Sequence, residues 1–144
     1  MRRTLGVGIV LLLLLSLSPD GLFAQATSGG RSSRLKGNYP NPFNPTTTIP
    51  FTLLDEDLRD GKPAKVTIRI YNLLSQLVAI PRALQHPAGN GVLVDNLMYT
   101  EPGEKLAFWD GTDSTGRKVA SGIYYVVLIV NGEREPPKKM VVNK

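Results

Sequence analysis

The chain has 144 residues, 42% of them hydrophobic and 20% charged, with a formal net charge of +5; that balance belongs to a globular chain rather than a disordered or collagen-like one. It has no cysteine and one histidine, which excludes a disulfide scaffold, a thiolate zinc site, a cysteine nucleophile, a lipidated cysteine and a multi-histidine metal centre. Its 14 glycines and 11 prolines suit many short elements better than long helices.

Arg2 and Arg3 precede an apolar run from Leu5 to Leu17, which Pro19, Asp20 and Gly21 break before small residues at Ala24 and Ala26. A positive flank, a short apolar stretch and a small-residue site form the pattern of a secretory signal peptide. At about 13 residues the run is shorter than the roughly 20 that span a bilayer. Residues 1–24 are therefore expected to engage the inner-membrane export machinery and to be cleaved at Ala24 or Ala26. Residues 25–37 are small and polar with three basic side chains, and read as a flexible leader.

From Asn38 the text becomes β-like. Thr46 to Leu53 alternates, and Pro50 within it marks an edge strand. Lys65 to Tyr71 places Val66, Ile68 and Ile70 on one face. Leu77 to Ile80, Gly91 to Leu97 and Lys105 to Trp109 are further short strands. Ile123 to Val130 ends at Asn131-Gly132, a hairpin turn whose partner strand is Lys138 to Val142. No amphipathic helical segment follows residue 25. About seven short strands separated by turn residues predict an antiparallel β-sandwich.

The run Asn38-Tyr39-Pro40-Asn41-Pro42-Phe43-Asn44-Pro45 leads into Thr46-Thr47-Thr48-Ile49. Further on come Ile70-Tyr71-Asn72, Trp109-Asp110-Gly111, Gly116, Gly122-Ile123-Tyr124 and Lys139-Met140-Val141-Val142. In this order the motifs resemble the C-terminal sorting domain, type A, of cargo of the type IX secretion system. The second half is also similar to the Ig-like domain of flagellar hook-capping proteins. The resemblance covers roughly residues 37–144 and implies an Ig-like sandwich over 38–144. By that resemblance, Pro40, Asn41, Pro42, Gly122, Tyr124, Lys139, Met140, Val141 and Val142 match the sorting motifs, while Trp109, Asp110, Gly111 and Gly116 are structural. It further implies outer-membrane secretion machinery as the partner and a cell-surface glycolipid as a possible second one. Ser75 stands where the family usually has glycine, and Val127 where it often has a basic residue.

Read from the residues alone, Pro40, Pro42 and Pro45 fix φ and force a stiff, extended entry segment on which Tyr39 and Phe43 can pack. Trp109 at a strand end reads as a core anchor. Asp55, Glu56, Asp57 and Asp60 lack the order of a calcium loop and are expected to be solvated. Asp110, Asp113 and Ser114 are turn residues in type. His86 lies in a loop without a sequence partner and is expected to be exposed. The basic residues are dispersed, which points away from nucleic acid and towards mild affinity for anionic glycans or lipid head groups. One imbalance stands out. With Tyr124, Val126 and Leu128 inward, Ile123, Tyr125, Val127 and Ile129 line an outer face that should alternate with polar residues. Either the long 82–103 segment folds over it, the favoured expectation, or the face is a contact surface for a partner or translocon component.

These readings predict a non-catalytic, cofactor-free and metal-free all-β module that directs an exported protein across the outer membrane to the cell surface. The alternative is a structural or adhesive Ig-like subunit of a surface or hook-cap-like assembly. No G-x-S-x-G elbow or paired catalytic constellation supports an enzyme.

Overall fold

The computed structural model describes residues 33–144; the expected signal peptide with Ala24 and Ala26, and most of the expected leader, lie outside the described residues. The described chain is an all-β sandwich of two antiparallel sheets. Its strands are β1 (Thr47–Leu53), β2 (Ala64–Tyr71), β3 (Leu77–Ala79), β4 (Arg82–Leu84), β5 (Leu97–Tyr99), β6 (Gly103–Trp109), β7 (Gly122–Val130), β8 (Glu133–Arg134) and β9 (Lys138–Val142). One sheet has the order β1-β6-β4. The other runs β3-β2-β7-β8, with β5 also paired to β2 and β9 to β7.

Alternation decides which side chains go inward. Val66, Ile68 and Ile70 of β2 and Tyr124, Val126, Leu128 and Val130 of β7 are buried with Ile49, Phe51 and Leu53 of β1 and Ala107 and Trp109 of β6. The Pro50 reading is refined by the hydrogen bonds. Thr48 and Thr52 donate their N–H groups to Tyr39 O and Arg34 O, while Pro50 only accepts, from Lys36 N. The missing N–H of Pro50 therefore falls on the side where a loosely paired segment, not a full strand, runs alongside. Asn131 and Gly132 both have positive φ, 51° and 86°, and close the β7–β8 hairpin as an Asn-Gly turn does. Pro136 and Pro137 then interrupt the pairing, so that β9 rejoins β7 nearer its start. The expected strand Gly91–Leu97 instead begins at Leu97, because Gly91 and Asn96 turn the chain with φ 83° and 49°. β4 escaped the sequence reading, being three residues set between Pro81 and Pro87.

The leader expectation fails at its C-terminal end. Leu35 is fully buried and bridges Phe51, and Arg34 is 3% exposed. The Arg34 guanidinium donates from Nε to Asp57 Oδ2 at 3.0 Å and from Nη2 to Asp57 Oδ1 at 2.7 Å, a bidentate pair. Its Nη1 donates to Glu135 Oε1 at 2.7 Å. Glu56 and Glu133 stand at 3.5 and 3.8 Å. Burial alone would lower the guanidinium pKa, but the hydrogen bonds and charges of Asp57 and Glu135 outweigh it and hold the pKa above its ordinary value.

Asp57 is thus not the solvated loop residue expected. It sits within Asp55–Gly61, two short 3-10 turns broken between Leu58 and Asp60. Its Oδ2 also accepts from Leu54 N at 2.8 Å, and its backbone O from Asn131 Nδ2 at 2.7 Å. Through its carboxylate and its backbone carbonyl, this one residue joins the entry segment, the β1–β2 connection and the β7–β8 turn.

The outer face of β7 is covered differently from the expectation. From the 82–103 segment, Val94 is fully buried in the main core and Leu97 packs against it, while Leu93 and Met98 stay exposed. Val127, 1% exposed, lies beside Arg69 in the ladder. Arg134, registered with Ile129, carries its guanidinium to 5.9 Å from the Tyr71 ring on β2. Val127 thus lies between strands that carry Arg69 and Arg134, side chains whose long stems can lie on apolar surface.

His86 is also tethered rather than free. Its Nδ1 accepts from Ala88 N at 3.0 Å, which leaves Nε2 to donate to Met98 O at 2.9 Å. Its ring meets Tyr99 edge-on at 4.6 Å, and Tyr99 meets Phe51 at 5.7 Å. The buried Tyr99 hydroxyl has no hydrogen-bond partner among the described residues, and burial pushes its pKa up to about 12.

Two outcomes follow from these buried groups. Arg34→Ala leaves Asp57 and Glu135 facing each other without a cation and should lower stability by about 3–5 kcal/mol in denaturant unfolding. Tyr99→Phe removes an unpaired hydroxyl and should leave stability at pH 7 unchanged or slightly raised. The unfolded phenol ionises near 10 and the folded one near 12, so this residue's contribution is intact below pH 10 and lost as pH rises towards 12. The denaturation midpoint of the parent should fall more steeply across that window than that of Tyr99→Phe.

Candidate functional site

The prolines of residues 40–45 hold the chain away from helix and present an exposed strap along the outer edge of β9. Asn41 Oδ1 accepts from Val141 N at 2.9 Å, and its Nδ2 reaches Lys139 O at 3.4 Å. Two residues on, Phe43 N donates to Val141 O and Asn143 N donates to Phe43 O, each at 3.0 Å. The Asn41 side-chain amide stands where a peptide group of a neighbouring strand would stand. Side-chain and backbone contacts together close an edge that would otherwise expose a row of unpaired groups. The start of the strap is pinned from the other side. Pro40 O accepts from Thr47 Oγ1 at 3.0 Å and from Asn38 Nδ2 at 3.1 Å.

On its inner edge β9 pairs with β7, Gly122 opposite Val142 and Tyr124 opposite Met140. Pro40, Asn41, Pro42, Gly122, Tyr124 and Lys139 to Val142, spread over a hundred residues of sequence, therefore meet at one edge of one sheet. Met140 and Val142 point into the core; Lys139 and Val141 point outward.

An aromatic stack supports the strap from below. Phe43 meets Trp109 at 5.4 Å and 61°, and Trp109 meets Tyr124 at 5.6 Å and 67°, edge-to-face geometries that add to plain burial. Trp109 Nε1 donates to Thr112 O at 2.8 Å and Tyr124 Oη to Ala120 O at 2.9 Å, so both polar tips are satisfied. Burial pushes the Tyr124 hydroxyl pKa up. Tyr39, by contrast, does not pack: it is 54% exposed.

Gly111 has a specific reason to be glycine. Its φ is +74°, and a Cβ there would stand 2.5 Å from Pro45 O. Asp110 and Asp113 act as turn residues: Asp110 Oδ1 accepts from the Thr112 N–H and hydroxyl. Asp113 Oδ1 accepts from Thr115 and from Arg117 N. The Thr115 hydroxyl first, then the backbone N–H groups and Arg117, hold the Asp113 carboxyl below its ordinary pKa. Gly116 (φ +83°) completes that turn.

The departure at Ser75 has its outcome here, and one neighbouring feature went unread in the sequence. Ser75 has φ +58°, the conformation for which the resembled family's glycine suits the turn, and Asn72 Oδ1 fixes the turn by accepting from Leu74 N and Gln76 N. That turn displays Leu73 and Leu74 to solvent. Beside it runs an open groove of about 470 Å³ lined by Leu77, Ala79, Pro81, Leu93, Phe108 and Asp110 among others. Exposed leucines carry no sequence signature of their own, since only the fold decides which apolar residues stay outside.

The edge geometry sets two expected losses. Asn41→Ala strips two contacts from β9 and should cost about 1–2 kcal/mol, with faster hydrogen exchange at Val141 N–H than at Leu128 N–H. Gly111→Ala combines a left-handed backbone with a clash against Pro45 O and should cost about 2–4 kcal/mol, read in the same unfolding experiment.

No protein-family model matches the sequence, and no curated protein matches it. Among solved structures the chain is similar to part of the dimeric latent PorU from Porphyromonas gingivalis. The likeness has 25% identity and a TM-score of 0.50, and covers 75% of this chain and 9% of that one. The chain thus corresponds to a small fraction of that protein's length.

Proposed function

We propose that the domain is a non-catalytic sorting module of the type IX secretion system, which directs an exported protein across the outer membrane to the cell surface. The observation that carries this reading is the convergence of the strap and the C-terminal strand. Motifs resembling those of sorting domains lie far apart in sequence and form a single exposed edge, Pro40-Asn41-Pro42 against Lys139 to Val142. The likeness to PorU, a protein associated with that secretion system, ties the chain loosely to the same context. In this reading the outer-membrane machinery grips the folded edge, while the aromatic stack of Phe43, Trp109 and Tyr124 keeps strap and strand in register.

The test is delivery of a fusion in which the domain follows a signal peptide and a reporter, in a type IX-competent host. Lys139 and Val141 point outward, so Lys139→Glu with Val141→Glu changes the edge and spares the core. The parent fusion is expected at the cell surface. The variant, shown to be folded by its thermal transition, is expected to accumulate in the periplasm. Surface delivery of the folded variant at the parent level would overturn the reading.

A further inference from the structure

Two Asn-Gly steps punctuate the chain, Asn90-Gly91 and Asn131-Gly132. This dipeptide carries a chemistry of its own. The backbone nitrogen that follows an asparagine can attack the side-chain carbonyl carbon, and glycine, with no Cβ in the way, hinders the attack least. The new N–C bond closes a succinimide ring, and the side-chain nitrogen leaves as ammonia. Water then opens the ring at either of its carbonyls. The product is aspartate or an isoaspartyl link, in which the backbone runs through the side chain. Water is the one co-reactant.

At Asn131 the fold holds the reacting amide at both ends. Its Oδ1 accepts from Lys65 N at 2.9 Å and its Nδ2 donates to Asp57 O at 2.7 Å. Attack by Gly132 N requires the side chain to turn, and turning breaks both bonds. Asp57 is held in its turn by Arg34, which also needs Glu135. The lock on Asn131 is therefore only as firm as the clasp between the entry segment and the residue after β8. Asn90 is protected differently. There the nucleophile is engaged: Gly91 N donates to Ala83 O at 3.1 Å, and Asn90 Oδ1 accepts from Gln85 N at 2.8 Å. These bonds lie within residues 83–91, and no member of the Arg34 network takes part in them.

The products also differ in consequence. Asn90 offers its partner an acceptor, which an aspartate retains. Asn131 offers Asp57 O a donor, which an ionised aspartate lacks, so oxygen would face oxygen. An isoaspartyl link would lengthen the backbone inside the two-residue turn that sets Val130 opposite Glu133. We propose that Asn131-Gly132 is a self-modification site gated by closure of the domain: a chain held open deamidates there, and the product closes less firmly. The change runs one way, so the residue marks chains that stayed open too long. This holds whatever route exports the domain.

The chain is incubated in mildly alkaline buffer, with and without urea, and conversion at both sites is followed by peptide mass spectrometry. In urea the two sites should convert at comparable rates. In buffer Asn131 should convert at least about tenfold more slowly than in urea, because reaction waits on local opening. Glu135→Gln keeps an acceptor for Arg34 but removes its charge, which weakens that hydrogen bond without unfolding the domain. It should speed conversion at Asn131 in buffer by about threefold and leave Asn90 as it was. A second arm tests the consequence: Asn131→Asp should lower the urea midpoint, and Asn90→Asp should not move it. Conversion of Asn131 in buffer at its urea rate would overturn the proposal. So would equal acceleration of both sites by Glu135→Gln, or a parent-like midpoint for Asn131→Asp.

Discussion

A guanidinium that is almost wholly enclosed must be surrounded by acceptors or it will not stay enclosed. Arg34 meets this condition through Asp57 and Glu135, and the rest of the architecture is arranged around it. Asp57 is held in place by Leu54 N–H and hands its backbone carbonyl to Asn131, whose own side chain accepts from Lys65 N. Four stretches that do not adjoin in sequence are thereby referenced to one charge. Such a network contributes less net energy than its short distances suggest, because desolvation offsets much of the attraction. Its effect is to specify position. It sets where the entry segment starts to pair with β1, and hence where Leu35 enters the core.

The second sheet edge follows a different logic. Here backbone is satisfied by backbone and by one amide side chain, with no charge involved. Prolines cannot donate to a ladder, and a strap containing Pro40, Pro42 and Pro45 could close the edge only if some other group supplied the hydrogen bonds. Asn41 and Phe43 supply them at alternate positions. The same composition that prevents a regular strand leaves the strap's own outer side poor in donors, which guards against further strand addition.

Much of this was legible. Period-two alternation in residues 65–71 and 123–130 gave β2, β7 and their inward faces, and Asn131-Gly132 gave the hairpin. The strap, Trp109-Asp110-Gly111 and the terminal strand were visible as separate motifs, but nothing in a linear text says that Asn41 and Val141 share a hydrogen bond. What was misread has a common cause. Arg34, Asp57 and His86 are polar residues in polar stretches, where solvation is the default expectation; each is held by partners that only the tertiary fold brings near. Val127 shows the converse. An apolar residue on a nominally solvent-facing side called for a cover, and Val127 is buried between strands bearing Arg69 and Arg134, whose apolar stems hydrophobicity patterns do not count.

The two clasps share a geometric property: Arg34–Glu135 and Asn41–Val141 each join residues 100 or 101 positions apart. The domain is closed head to tail, like a ring fastened at its ends. Loop closure over that span must precede the reward from either contact. A chain emerging from a ribosome or a membrane pore, amino end first, cannot complete its sheets until Glu135 and β9 have followed. Until then the buried arginine lacks Glu135 and the strap lacks its strand. Emergence of β9 is therefore built into the topology as the event that allows the domain to lock, and a chain lacking β9 never presents the finished edge.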